Sequence, residues 1–136
     1  MGLAQAGFEL ALDYATIRRQ FGRSILDFQG VSFMLADMAT GIAAGRALYL
    51  EAARRRGHGL PHSREASMAK LFCSDMAMSV TTNTVQILGG AGYTEDFPAE
   101  RYMREAKVLQ IFEGTNQLQR LVISRQLAGG GAKASA

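Results

Sequence analysis

The 136 residues encode an all-α protein, read as an up-and-down helical bundle, and two features carry that reading. Apolar residues recur at spacings of three and four over long stretches, while the alternation of apolar and polar residues that marks a half-buried strand is absent. Only two prolines, Pro61 and Pro98, occur, so little in the chain stops a long helix. The length fits one domain over residues 1–128, and the glycine-rich end, 129–136, reads as a flexible tail.

A first helix is expected from Gln5 to Arg19, with Phe8, Ala11, Leu12 and Ala15 as its apolar stripe, ended by Phe21 and Gly22. A long second helix follows from Asp27, read as its N-cap, to Arg56, with Gly57 just past its end. Its core face is Phe28, Val31, Leu35, Met38, Ile42, Gly45, Tyr49 and Ala52. Residues 57–62 form a short connection, and Ser63 is the expected N-cap of a third helix that continues to Leu88. Ala69, Phe72, Met76, Val80, Thr84 and Ile87 make its stripe. So short a connection places the second and third helices antiparallel. The chain then turns at Gly89, Gly90, Ala91 and Gly92, enters a short helix from Pro98 through Ala106, and ends in a helix from Thr115 to Leu127.

The hydrophobic content of 48% is ample for a packed core. Fifteen Lys and Arg against twelve Asp and Glu leave a charge of only +3, spread along the chain, without the basic stripe and interleaved aromatics of a nucleic-acid reader. The single cysteine, Cys73, excludes an internal disulfide and fits a reducing compartment. No apolar run approaches the roughly twenty residues of a membrane span, no signal peptide is evident, and a cytoplasmic protein is expected.

Few motifs carry chemistry by themselves. The run from Gly90 fails the dinucleotide fingerprint because Glu95 stands where a third glycine is needed, and a helix rather than a strand precedes it. His58 and His62 stand four apart, but the intervening Gly59 and Pro61 do not support the helix that would pair them on a metal. Most of the seven methionines fit helix packing, and Arg54, Arg55 and Arg56 complement the negative end of a helix dipole. Glu113, between Val108, Leu109, Ile111, Phe112 and the pair Gly114, Thr115, is an ordinary helix-boundary carboxylate when taken alone.

Its neighbourhood changes that. The run Glu100 to Gln117, the segment Arg18, Arg19, Gln20, Phe21, Gly22 followed by Gln29, and the run Gln86 to Tyr93 together resemble the C-terminal domain of acyl-CoA dehydrogenases. Three separated motifs in the family's order and spacing are far more specific than any one, and the resemblance extends from Gln5 to Leu127. It implies that Glu113 is the base that removes a proton alpha to a thioester carbonyl while hydride leaves the beta carbon for flavin N5. Burial beside Phe112 and a bound acyl chain would strengthen that base by disfavouring its charged form. The backbone N–H of Glu113 is implied as a donor to the thioester carbonyl, and Gly114 as the residue that leaves room for substrate.

The resemblance further implies FAD contacts from Arg18, Gln29, Gln86, Ile87, Leu88, Gly89 and Gly90, and from Thr115, Asn116 and Gln117 at the start of the last helix. The cofactor would be shared across a subunit interface, in a homodimer or homotetramer, with acyl-CoA as substrate and an electron-transferring flavoprotein as reoxidant. A complete subunit of this family also has an N-terminal helical domain and a middle β-domain, so the chain is expected to be an incomplete enzyme. The rival reading is a catalytically silent helical bundle used for subunit association or regulation. Joint retention of Arg18, Gln29, Gly89, Gly90 and Glu113 favours the enzyme.

Overall fold

The computed structural model describes residues 1–131, and these form a helical bundle. Its helices are α1 (Gly2–Ile17), α2 (Gln29–Gly57), α3 (Ser63–Leu88), α4 (Gly90–Tyr93), α5 (Ala99–Leu109) and α6 (Asn116–Gly131). The first two are joined through a small hairpin of β1 (Arg19–Gln20) and β2 (Arg23–Ser24) and a 3-10 turn at Ile25–Asp27.

Helix α3 is the centre, packed by α1, α2, α5 and α6. A Cβ on Gly7 would lie 2.8 Å from the Thr84 hydroxyl, so the small face of α1, Ala4, Gly7, Ala11 and Ala15, sits close against α3. Thr81 and Thr84 can face it because each hydroxyl donates to a carbonyl one turn back, Ala77 O at 2.8 Å and Val80 O at 2.9 Å. Gly41 meets Met76, and Gly45 meets both Met76 and Cys73, so α2 runs antiparallel to α3. Met1 also reaches Gly45, and Gly7 reaches Thr81 and Thr84, so α1 runs parallel to α3. Beyond α4 the chain returns along α3 as α5. It then continues in the same direction as α6, where Val122 and Arg125 come beside Ser63 and Glu65. The strict up-and-down order therefore ends with two helices laid end to end.

Several local expectations need correction. The hairpin has no sequence signature because two-residue strands are too short to alternate; its turn places Phe21 at φ +53 and Gly22 at φ +80, the paired left-handed geometry of a tight hairpin. Asp27 is not the N-cap of α2. The chain first makes a 3-10 turn in which the Ser24 hydroxyl accepts from Leu26 N at 3.2 Å and donates to Ala15 O at 2.7 Å. Ser63 lies inside α3, where Glu65 serves the first turn instead, its carboxyl held below the usual range by its own backbone N–H and by Arg64. Helix α2 includes Gly57, and Gly59, at φ +68, takes the left-handed position. Thr115 caps α6, its hydroxyl accepting from Leu118 N at 3.3 Å, and the helix runs through Gly131, past the expected end at Leu127. The rest of the expected tail, 132–136, lies outside the described residues.

Helix α2 is long and apolar enough to cross a membrane by length and composition, although Asp37 and Arg46 interrupt its apolar run. Leu35, Met38, Ile42 and Gly45 are instead buried in the bundle.

Candidate functional site

The predicted site residues fall into two groups, at different levels along α3. The first surrounds Glu113, at the apex of the loop between α5 and α6. This loop is pinned on both sides. The Asn116 N–H donates to Gln110 O at 3.1 Å across its mouth, and the Gln119 side chain donates to Glu113 O at 3.4 Å and Gly114 O at 3.2 Å. Between these ties Glu113 adopts φ +53 and Gly114 φ +85, so a non-glycine residue is held left-handed. Such a conformation persists only where surrounding bonds over-determine it, and it concentrates at functional sites. Glu113 is exposed, among Val108, Ile111, Phe112 and Leu118, which are all 45% exposed or more. Burial beside Phe112, expected from the sequence, is therefore not supplied by this chain.

Asn116 departs from expectation. Its side chain is turned into the fold, only 3% exposed, where the amide donates to Ser74 Oγ at 2.8 Å and Asp75 Oδ1 at 2.7 Å and its carbonyl accepts from Lys70 Nζ at 2.7 Å. A buried amide with these partners has no free polar atom for a cofactor. Burial pulls the Lys70 ammonium below the ordinary lysine range, against the attraction of Asp75. Gln117 is exposed and Thr115 half-buried. Lys70, Ser74, Asp75, Gln110 and Gln119 were not foreseen. The available signal was the polar set Lys70, Ser74, Asp75 set among Ala69, Leu71, Phe72 and Met76.

Gly114 is fixed by geometry. A Cβ there would meet Gln119 Nε2 at 2.9 Å, on a backbone that side chains rarely adopt. Gly114→Ala is expected to push Gln119 off the loop and lower stability by about 1–2 kcal/mol, read as a lower urea midpoint. An unchanged midpoint would show that the loop relaxes freely.

The second group lies at the C-terminal end of α3. Arg18 follows the last turn of α1, Gln29 opens α2, and Gln86 to Gly90 close α3. The parallel course of α1 and the antiparallel course of α2 bring all three segments to one end. Arg18, Gln29, Gln86, Gly89 and Gly90 are exposed, but Ile87 and Leu88 are 7% and 3% exposed and belong to the core. Their side chains are thus unavailable to a ligand, because the stripe of α3 continues to its last turn. Gly89, at φ +63, and Gly90 face open space: a Cβ on either meets nothing within 4 Å. A cleft of about 490 Å³ lies alongside, lined by Leu10, Asp13, Tyr14, Ile17, Arg18, Arg19 and Phe97. Ile17, Phe21 and Tyr93, which flank these segments in sequence, are 79%, 92% and 76% exposed, so the described residues leave these apolar side chains uncovered.

Asn116 is bonded to Ser74, and Gly89 lies fifteen residues further along α3, so the two groups stand roughly 22 Å apart along the helix at 1.5 Å per residue. One chain therefore does not join them in one pocket. A larger cleft of about 1020 Å³, between the α2–α3 connection and the end of α6, is remote from both. Its Arg55 and Arg64 are already paired with Glu65.

Comparison with known proteins identifies the family. The family described as acyl-CoA dehydrogenase, C-terminal domain, matches residues 1–128. An acyl-CoA dehydrogenase of Bacillus subtilis is 54% identical over 130 residues, covering 96% of this chain and 34% of that protein. The structure of butyryl-CoA dehydrogenase from Megasphaera elsdenii superposes with a TM-score of 0.92 at 46% identity, over 93% of this chain and 33% of that one. A chain in a structural study of the electron transferring flavoprotein of Acidaminococcus fermentans superposes with a TM-score of 0.91 at 56% identity, with the same coverage. The chain thus spans about a third of the length of the relatives it matches.

Proposed function

Because the chain belongs to the acyl-CoA dehydrogenase family, as its C-terminal domain, we propose that Glu113 is the general base in an FAD-dependent α,β-dehydrogenation of acyl-CoA thioesters. The observation that carries this reading is the pinned loop that holds Glu113 left-handed on an apolar face. An acyl chain laid on Ile111 and Phe112 would exclude water from around the carboxylate, leaving it to take the proton alpha to the thioester carbonyl. Gly114, without a side chain, leaves the approach clear.

The far end of α3 fits a dinucleotide cofactor, because the open space over Gly89 and Gly90 admits a ligand against the backbone and three exposed polar residues stand on the segments that meet there. Arg18, Gln29 and Gln86 would hold FAD with the backbone from Ile87 to Gly90, and Thr115 and Gln117 would meet it at the loop. When bound, FAD supplies the acceptor for the hydride that leaves the beta carbon. The roughly 22 Å between the groups supports a homodimer or homotetramer in which one copy's Arg18 end completes another copy's Glu113 site. Similarity to the chain from the Acidaminococcus study supports an electron-transferring flavoprotein as partner. A silent scaffold has no need of the glycine cradle or of a strained glutamate.

The full-length, flavin-loaded protein, mixed anaerobically with butyryl-CoA and longer thioesters, is expected to lose flavin colour and form the α,β-unsaturated thioester. No reaction at any chain length would overturn the proposal. Arg18→Ala, which removes a charged donor worth about 1.5–3 kcal/mol, is expected to weaken FAD binding roughly 10- to 100-fold, measured by titration. Unaltered affinity would remove Arg18 from the cofactor site.

A further inference from the structure

Among the described residues, Asp75 is the one side chain that hydrogen-bonds to both shoulders of the Glu113 loop. Its Oδ1 accepts from Gln110 Nε2, at the end of α5, at 2.7 Å and from Asn116 Nδ2, at the start of α6, also at 2.7 Å. Its Oδ2 accepts from Arg120, one turn into α6, at 3.3 Å. The carboxylate thus ties α5, α6 and α3 together at the level of the loop. Hydrogen bonds to a charged acceptor are about twice as strong as neutral ones, and the planar carboxylate fixes direction as well as distance. The apex in between, from Ile111 to Thr115, makes no side-chain hydrogen bond to α3 among the described residues. Among the side-chain hydrogen bonds, those of Asp75 and of the Asn116 amide, which Asp75, Ser74 and Lys70 orient, therefore set how the loop stands on α3.

We infer that Asp75 is a positioning residue for the base: it does not meet substrate, but holds the loop so that the Glu113 carboxylate reaches the thioester. This rests on Glu113 being the base. A misplacement of about 1 Å can cost on the order of a hundredfold in rate, so loss of the tie should appear in kcat before it appears in binding. The neutral Asp75→Asn keeps the shape of the side chain but offers one acceptor oxygen where two donors now converge on a charged one.

The test is made in the full-length, flavin-loaded protein with butyryl-CoA. Asp75→Asn is expected to lower kcat by about 10- to 100-fold while flavin content holds and KM moves less than about threefold. A kcat within about twofold of the parent, or a loss carried mainly by KM, overturns the inference. If Asp75→Asn does not fold, Gln110→Ala, which releases one shoulder only, is expected to lower kcat by about 3- to 10-fold with the same split, and an unchanged kcat there overturns it equally. Glu113→Gln measured alongside separates the two claims. Retained turnover in Glu113→Gln removes the base assignment itself. Lost turnover in Glu113→Gln with normal kcat in the Asp75 and Gln110 variants removes only the positioning role.

Discussion

Glu113→Gln in the full-length protein is expected to reduce dehydrogenation by at least about a hundredfold, and by up to about ten-thousandfold, while bound flavin is retained. Glutamine matches glutamate in length and shape, so the loop, its two ties and the left-handed backbone at φ +53 have no reason to move. Only proton acceptance is lost. The flavin contacts proposed at Arg18, Gln29 and the Gly89–Gly90 cradle, and at Thr115 and Gln117 beside the loop, keep their own atoms, because the exchange alters nothing outside the Glu113 carboxyl. Turnover assayed beside flavin content therefore gives a clean separation: rate falls and flavin stays. A parallel loss of both would make Glu113 a structural residue, and unchanged turnover would move the base elsewhere.

Met38→Ala should have the largest effect on stability, a loss of about 2–5 kcal/mol. Met38 is 2% exposed and belongs to the core formed with Leu35, Ile42, Met76 and Val80. Truncation removes the thioether and leaves a cavity between α2 and its neighbours that two long helices cannot readily collapse. A domain of this size has only about 5–15 kcal/mol in hand, so the urea midpoint should fall sharply. Phe33→Ala, on the same helix but 62% exposed, should change stability by no more than about 0.5 kcal/mol. Equal effects at the two positions would mean that the face of α2 is misassigned.

The helices were legible because burial leaves a period. Leu35, Met38, Ile42 and Gly45 are buried where the spacing of three and four placed them, and Ala69, Met76, Val80 and Ile87 likewise. Tyr49 and Phe72 share those stripes but are 38% and 37% exposed. Periodicity reports a face and cannot report whether a neighbour covers all of it. The second buried face of α3, with Ser74, Ala77, Thr81 and Leu88, escaped notice because its polar members satisfy themselves along their own helix or through distant partners. Caps failed at Asp27 and Ser63 for a related reason, since Ser24 and Glu65 had already met the local demand.

At the candidate site, residue types and family spacing singled out Glu113, Gly89, Gly90 and Arg18 as candidates. They could not show that Asn116 turns inward, because its partners Ser74 and Asp75 lie 42 and 41 residues away in sequence. Nor could they show that Ile87 and Leu88 offer only backbone to a ligand, or that Glu113 itself is left-handed. No residue type encodes that conformation for a glutamate; it comes from the bonds that close the loop around it.

Exchange of the α-hydrogens of an acyl-CoA thioester with solvent deuterium tests the proton transfer directly, without depending on later steps of the reaction. It should be followed by mass spectrometry, under anaerobic conditions, for the flavin-loaded full-length protein and for its Glu113→Gln variant. Deuterium is expected to enter the alpha position with the parent protein and to stay at the uncatalysed background with the variant. Exchange by Glu113→Gln at the parent rate would contradict the assignment of the base.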